Sequence, residues 1–256
     1  MNSGMNLLTI DKRAEYWSVT LNRPEKHNAL STELVEQLIN VFDEVKIAKV
    51  PVVVLQGEGR CFSAGFDMTD VESSSEGDLL LRFVRIEMLL QRVAASPALT
   101  VAFAHGKNFG AGVDLIAACD LRVATPGATF RMPGLQFGLV LGTGRFARIV
   151  GSHEARRILE TSEVFDVDRA FGNGFVECVA PFEQRDKVIA DAVARATSLP
   201  AASRALLRDA LRDDHADADL AALVRSAAEP GLKRRIDAYR NPASSTRSEH
   251  PQKETL

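Results

Sequence analysis

The chain has 256 residues and a formal net charge of −3, with 31 basic and 34 acidic side chains mixed along its length. That length can bury a full core as one large domain or as one domain plus an appendage, and the mixed charge offers no basic face for a polyanion, so nucleic acid is not an expected partner. No apolar run approaches the length needed to cross a bilayer, and the opening MNSGMNLLTIDKRAEYW lacks the basic start, apolar stretch and cleavage site of a secretory signal; the expected compartment is the cytoplasm.

In chain order, Leu7 to Asp11 and Tyr16 to Leu21 are predicted strands joined by a polar turn. The segment Asn22 to Leu30 (NRPEKHNAL) breaks the pattern, and Ser31 is the expected N-cap of a helix from Thr32 to Ile47, whose Leu34, Leu38, Val41 and Val45 recur at helical spacing. Leu34 stands three residues past the cap, so no reciprocal capping box is expected there. The β-branched run Pro51 to Gln56 predicts a strand buried on both faces. A Ser/Gly-rich loop, Glu72 to Gly77, precedes a predicted helix from Leu79 to Ala94, and Leu99 to Ala104 is the next buried strand. Beyond it stand short strands at Leu121 to Ala124 and Thr129 to Arg131, then a Gly-studded loop from Pro133 to Gly144. Helices follow at Ser152 to Glu160 and Val167 to Phe171, a strand at Val176 to Val179, and helix over nearly all of Glu183 to Tyr239.

Strand, loop and helix alternate, which defines an α/β chain with largely parallel strands and with ligands expected where strands hand over to helices. Two small-residue turns occupy such positions. Lys107 to Asp120 (KNFGAGVDLIAACD) sets Gly110, Ala111 and Gly112 before an apolar helix carrying Asp114 in its first turn. The first N–H groups of a helix lack internal partners and can hold an oxygen gaining negative charge. Cys61 to Met68 (CFSAGFDM) follows the strand ending at Gln56 and can present the N–H of Phe66. The reading requires the two turns to face each other.

LNRPEKHNALS, GEGRCFSAGFD and GKNFGAGVDLIAACDLRVATPGATFRMP, in this order and with these gaps, resemble the crotonase superfamily of enoyl-CoA hydratases and isomerases. The resemblance implies a spiral of strand-strand-helix units with a C-terminal helical trimerisation region, assembling as a homotrimer or a dimer of trimers. It divides the chain into a core with the acyl-CoA site over 1–195, a helical region over 196–240 and a polar tail over 241–256. It also implies an acyl-CoA substrate, of which coenzyme A is a part, with no separate cofactor. The thioester carbonyl would be polarised by the amides of Phe66 and Ala111, forming an oxyanion hole in which a thioester enolate is stabilised. Backbone donors need no side chain, so Ala111 in place of the family's usual glycine keeps that role.

The acid–base positions depart from the family pattern. Hydratases of the family carry a glutamate three residues beyond the second oxyanion donor, where this chain has Asp114, and another where it has Gly134. GAGVDLIAACDLR is closest to the dienoyl-CoA isomerase branch, whose further acids fall here on Gly134 and Gly142. Addition of water by the family uses two carboxylates, so one carboxylate points away from efficient hydration. Isomerase, hydratase, hydrolase and C–C lyase chemistry stay open, with a non-catalytic acyl-CoA-binding homologue as the alternative.

The remaining substrate-binding candidates follow from the same alignment: Lys26 and His27 near the coenzyme A phosphates and adenine, Ala64, Asp67 and Met68 around the first turn, Gly110 and Gly134 around the second, and Arg131 and Arg145 near the acyl group, where they meet an acyl carboxylate, orient Asp114 or serve only as solvated arginines. Asp114 would gain from the helix dipole even without a catalytic role. His105 is expected to be structural, no metal-ligand spacing is present, and Cys61, Cys119 and Cys178 are expected as reduced thiols.

Overall fold

The computed structural model describes residues 6–211 and 215–241, so the polar tail lies outside the described residues except for Asn241. Strand β1 (Leu8–Lys12) runs antiparallel to β2 (Tyr16–Leu21), with Leu8 opposite Leu21. Helix α1 (Thr32–Ala48) returns the chain so that β3 (Val52–Gly57) lies parallel to β2, and α2 (Glu76–Ala94) does the same for β4 (Leu99–Ala104). Then come β5 (Lys107–Phe109), α3 (Ala111–Ala117), β6 (Leu121–Ala124) and β7 (Thr129–Arg131). Helices α4 (Thr143–Val150) and α5 (Ser152–Thr161) lead to β8 (Phe165–Asp166), α6 (Val167–Gly172) and β9 (Cys178–Val179). Four helices close the chain: α7 (Arg185–Thr197), α8 (Ala201–Leu211), α9 (Ala216–Ala228) and α10 (Leu232–Arg240).

The strands form a six-stranded sheet in the order β1-β2-β3-β4-β6-β9 and a three-stranded sheet in the order β5-β7-β8. The two-residue period of a strand sends alternate side chains to opposite faces, and β3 shows the consequence. Val53 and Leu55 enter the large core beneath α1 and α2, while Val52 and Val54 join a smaller core with Ile189 and Ala192 of α7. Burial on both faces explains the uninterrupted apolar run of this strand. Leu34, Leu38 and Val45 of α1 are fully covered by the same large core, each worth about 1.5–3 kcal/mol of burial.

Local signals account for the helix starts. Ser31 Oγ accepts from Leu34 N at 3.3 Å, a cap without a reciprocal partner, as expected. Ser75 and Asp78 form a full capping box, which starts α2 at Glu76 and takes residues 76–77 from the expected loop. The expected loop from Pro133 to Gly144 contains a 3-10 turn, Gly134–Phe137, and the start of α4, which the sequence reading missed. The expected strand at Val176 to Val179 shrinks to Cys178–Val179, and the helical stretch after Glu183 is cut at Pro200 and at Pro230–Gly231, where Gly231 takes φ +82°. Proline lacks the N–H a continuing helix needs and restricts the residue before it, so both breaks sit where they must.

The last helices belong to the same apolar mass as the sheet: Leu223 and Ala227 of α9 and Leu232 and Ile236 of α10 are buried in the large core. Arg235 of α10 donates to the carbonyls of Phe137 at 3.1 Å and Gly138 at 3.2 Å, fastening α10 over the 3-10 turn. No helix among the described residues is long and apolar enough to cross a membrane.

Candidate active site

The first turn is built by the NRPEKHNAL segment. Asn28, fully buried and in the left-handed region at φ +54°, donates through Nδ2 to the carbonyls of Glu58 at 2.8 Å and Cys61 at 2.9 Å and accepts from Arg23 N at 2.9 Å. Ser63 Oγ donates to Asn28 O at 2.9 Å and accepts from Gly65 N at 3.1 Å. Leu30 N donates to Gly65 O and Asp67 N to Leu30 O, forming a parallel bridge between Leu30 and Phe66. The motif that stood out in the sequence therefore acts as a strut for residues 61–67, and Asn28 is its centre.

The second turn leaves β5 at Phe109. Gly110 takes φ +46°, ψ −121°, a conformation that side-chain-bearing residues rarely adopt, and its N–H donates to Arg131 O at 2.8 Å. Helix α3 starts at the next residue.

The two turns meet. Phe109 N donates to Ser63 O at 3.2 Å. A Cβ built on Gly65 would lie 2.3 Å from Phe109 O and 3.0 Å from Ala111 N, and one on Gly112 would lie 2.5 Å from Ser63 O. Backbone approach this close is open to glycine alone, so Gly65 and Gly112 set the separation of the turns.

Beside the junction lies a cavity of about 220 Å³. Of the expected site residues, its walls include Ala64, Phe66, Met68, Gly110, Ala111, Asp114 and Gly134. Phenylalanines and leucines make up most of the remainder, with Tyr239 entering from α10. Phe66 stacks on Phe83 at 4.3 Å, and Phe137 meets Tyr239 at 5.4 Å between ring centroids. Tyr239 was not legible as a site residue, since nothing local to α10 shows that it folds back over Phe137.

Among the described residues, Asp114 is the one carboxylate on the walls. Its residue is 2 % exposed, its Oδ1 is fully buried, and that atom has no hydrogen-bond partner among the described residues. Desolvation pushes its proton affinity well above the ordinary carboxylate range; the positive field of Arg145 opposes this and the negative field of Glu87 adds to it. At the two positions to which the family resemblance assigns further acids, packing closes 142 and leaves 134 tight. A Cβ at Gly142, φ +62°, would lie 2.0 Å from Asp114 Oδ1, and a Cβ at Gly134 would lie 3.0 Å from Leu139 O.

The other candidates stand off the walls. Arg131 Nε donates to Ser162 O at 2.8 Å. Arg145, 8 % exposed, pairs through Nη2 with Glu87 at 3.1 Å and lies 3.9 Å from Asp219. Neither arginine lines the cavity, and among the described residues no lysine or arginine does. Lys26 and His27 are exposed at the 3-10 turn before Asn28. Asp67 is turned inward, accepting from Thr69 N at 2.9 Å, Thr69 Oγ1 at 2.6 Å and Arg23 Nη1 at 2.9 Å. Burial raises its proton affinity, but these bonds outweigh burial and hold it below the ordinary range. His105 Nε2 contacts Gly59 O at 3.0 Å, a structural tie. The three cysteines are free, and burial pushes the Cys61 and Cys119 thiols up. Among the described residues no cluster of three or more His, Cys, Asp or Glu side chains could hold a metal ion.

A fold of this kind with a cavity at the meeting of two glycine turns defines a crotonase-type protein, and the comparisons agree. The family model described as enoyl-CoA hydratase/isomerase matches residues 11–237, so the chain belongs to the enoyl-CoA hydratase/isomerase family. A crystal structure from Bordetella parapertussis, provisionally named an enoyl-CoA hydratase/isomerase, superposes with a TM-score of 0.89 at 60 % identity, covering 91 % of this chain and 98 % of that one. A provisionally named enoyl-CoA hydratase of Bacillus subtilis is 31 % identical over 172 residues, spanning 64 % of this chain and 66 % of that protein. The mitochondrial Δ(3,5)-Δ(2,4)-dienoyl-CoA isomerase of rat is 30 % identical over 179 residues, 64 % of this chain and 55 % of that protein. The matched stretches thus span about two thirds or less of these two curated relatives.

Proposed function

We propose that this protein acts on an acyl-CoA thioester by forming an enolate, with Asp114 as the sole proton carrier, and that its reaction is migration of a carbon–carbon double bond rather than addition of water. The main-chain N–H groups of Phe66 and Ala111 would receive the thioester oxygen. In the bridge between Leu30 and Phe66 the bonds are made by the flanking residues 65 and 67, which directs the Phe66 N–H away from Leu30. Ala111 is the first residue of α3, so its N–H has no acceptor within the helix. Two such donors lower the barrier to enolate formation by about 3–4 kcal/mol each.

The observation that carries the preference for isomerisation is the steric closure of position 142 against a walled-in carboxyl, with glycine in place of an acid at position 134. On a 3-enoyl thioester, Asp114 removes a proton from the α-carbon, the electron pair delocalises through the enolate, and the same carboxyl returns the proton at the γ-carbon. No water or second acid is consumed. Hydration would require a positioned water and a second carboxylate, neither of which the apolar walls favour. The absence of a cation on those walls favours simple acyl chains over dicarboxylic ones. Coenzyme A enters as part of the substrate, and no cofactor is needed for the sequence of steps. Leu206, Leu207 and Leu211 of α8 are exposed, which supports burial of this helix between subunits of a homotrimer or of paired trimers.

The test is a panel of 3-enoyl-, 2-enoyl-, dienoyl- and saturated acyl-CoAs in deuterated water, followed by mass and by absorbance. We expect α-deuteration and interconversion of 3- and 2-enoyl thioesters, slowed about 10²–10⁴-fold in Asp114→Asn. Efficient formation of a hydrated product would reject isomerisation. Binding without deuteration of any thioester would favour the non-catalytic acyl-CoA-binding homologue.

A further inference from the structure

Behind the cavity wall lies a group of charges that the proton transfer does not itself use. Arg145 of α4 is almost fully buried, and its partner Glu87 of α2 is completely so. The pair is joined through Arg145 Nη2 and Glu87 Oε1 at 3.1 Å, and Gln91 Nε2 also reaches Glu87 Oε1 at 3.2 Å. On the far side Asp219 of α9 lies 3.9 Å from Arg145 Nη2 and is itself held by Arg148 at 2.6 Å. Of the buried polar atoms without a hydrogen-bond partner among the described residues, three belong to these acids and this arginine: Arg145 Nη1, Asp114 Oδ1 and Glu87 Oε2. One is a cationic donor on α4, and one is an oxygen of the carboxyl that packs against Gly142 at the start of that helix, where the field of Arg145 opposes the effect of burial. Buried polar groups without partners are uncommon and call for a reason.

We propose that Arg145 is a positioning residue for Asp114: clamped on one side by Glu87, it keeps Nη1 in reserve for Asp114 Oδ1 when that carboxylate is ionised. The inference rests on Asp114 as the proton carrier and adds what controls it. While Asp114 is protonated, the Arg145 charge is balanced by Glu87 and Asp219. When Asp114 is ionised, the spare nitrogen and the spare oxygen satisfy each other, which keeps the carboxylate against Gly142 and leaves its second oxygen to the substrate. Among the described residues, the charges that act on Asp114 are Arg145 from α4 and Glu87 from α2, and Asp219 from α9, held by Arg148 of α4, enters the balance through Arg145. It also ties the C-terminal helices to the active carboxyl, because Asp219 reaches Arg145 only when α9 is docked.

The experiment is a titration of the ligand-free full-length protein labelled with aspartate enriched in 13C at Cγ, the Asp114 resonance being assigned by its loss in Asp114→Asn. We expect Glu87→Gln to move the Asp114 midpoint down and Arg145→Gln to move it up, each by about half a pH unit or more. Arg145→Lys, which retains the charge, should stay closer to wild type. Should Arg145→Gln not fold, the near-isosteric Glu87→Gln decides alone: a lowered midpoint supports the proposal and an unmoved one overturns it. Unmoved midpoints in both charge-removing variants likewise overturn it. Since no thioester is present, shifted midpoints in a protein that turns over none of the panel would reject the proposed reaction and retain the positioning, and turnover with unmoved midpoints would do the reverse.

Discussion

The two turns that meet at the cavity each bury a carboxylate, and they treat it in opposite ways. Asp67, 5 % exposed, is surrounded by donors from Thr69 and Arg23 and is held ionised. Asp114, 2 % exposed, has no hydrogen bond to Oδ1, faces apolar walls and is pushed toward its protonated form. A carboxylate whose two oxygens both accept hydrogen bonds is a structural tie. One kept short of partners has a proton affinity closer to neutrality and lone pairs to spare, which is what a general base requires. Surface exposure therefore does not distinguish the two acids; the deeper desolvation of Asp114 and the donors around Asp67 do.

Four measurements on three substitutions sharpen this contrast. The largest effect is expected from removing the reactive oxygen: Asp114→Asn should cost about 10²–10⁴-fold in α-proton exchange. Next is Gly142→Ala, whose Cβ would lie 2.0 Å from Asp114 Oδ1 on a backbone at φ +62°. The carboxyl must rotate away, and exchange should fall by about 10²-fold, the scale of a misplaced reactive group, while thioester affinity measured by calorimetry changes little. Intact exchange in Gly142→Ala would show that the carboxyl is not held where the structure puts it.

The third and fourth read stability by thermal unfolding at several pH values. Asp67→Asn should cost about 1–3 kcal/mol near neutrality, because the donors around it lose a charged acceptor. Its folded-state affinity is lowered, so the stabilisation is present above the unfolded value of about 3.9 and is lost as pH falls through the folded one; the penalty should fade in acid. For Asp114 the sign reverses. Its folded affinity is raised, so the folded state binds the extra proton and stability falls as pH climbs from about 3.9 through the folded value. Asp114→Asn should therefore stabilise by about 1 kcal/mol or more at alkaline pH and by little in acid. Parallel pH trends in the two variants would break the comparison.

Much of the fold was legible because it is local. Ser31 and the spacing of Leu34, Leu38 and Val45 defined α1, and the β-branched run at Val52 to Leu55 defined β3. What escaped was short or punctuated. Helix α4 begins among Gly142 and Gly144, residues that argue for loop, and β8 has only two residues, paired across to Thr129 and Phe130.

At the site, the turns and Asp114 were legible from the motifs. The partners that decide charge were not. Arg145 and Glu87 stand 58 positions apart, and no local pattern announces that a helix-borne Glu in an apolar stripe will face that arginine. Their places in the motif put Arg131 and Arg145 near the acyl group and left open whether they meet an acyl carboxylate, orient Asp114 or stay solvated or at an interface. Their side chains instead turn to Ser162 O and to Glu87. Gly134 and Gly142 were visible as missing acids, but only the packing against Asp114 Oδ1 shows why an acid does not fit at 142, while position 134 is tight against Leu139 O.

The central claim is that one thioester oxygen is shared by two backbone amides beside a lone carboxyl. A crystal structure of the slowed Asp114→Asn protein with a 3-enoyl-CoA bound tests it most directly. The expected result is the thioester oxygen about 2.7–3.1 Å from both Phe66 N and Ala111 N, with the α-carbon facing position 114. An oxygen lying elsewhere, or a side chain seated between the two nitrogens, would contradict it.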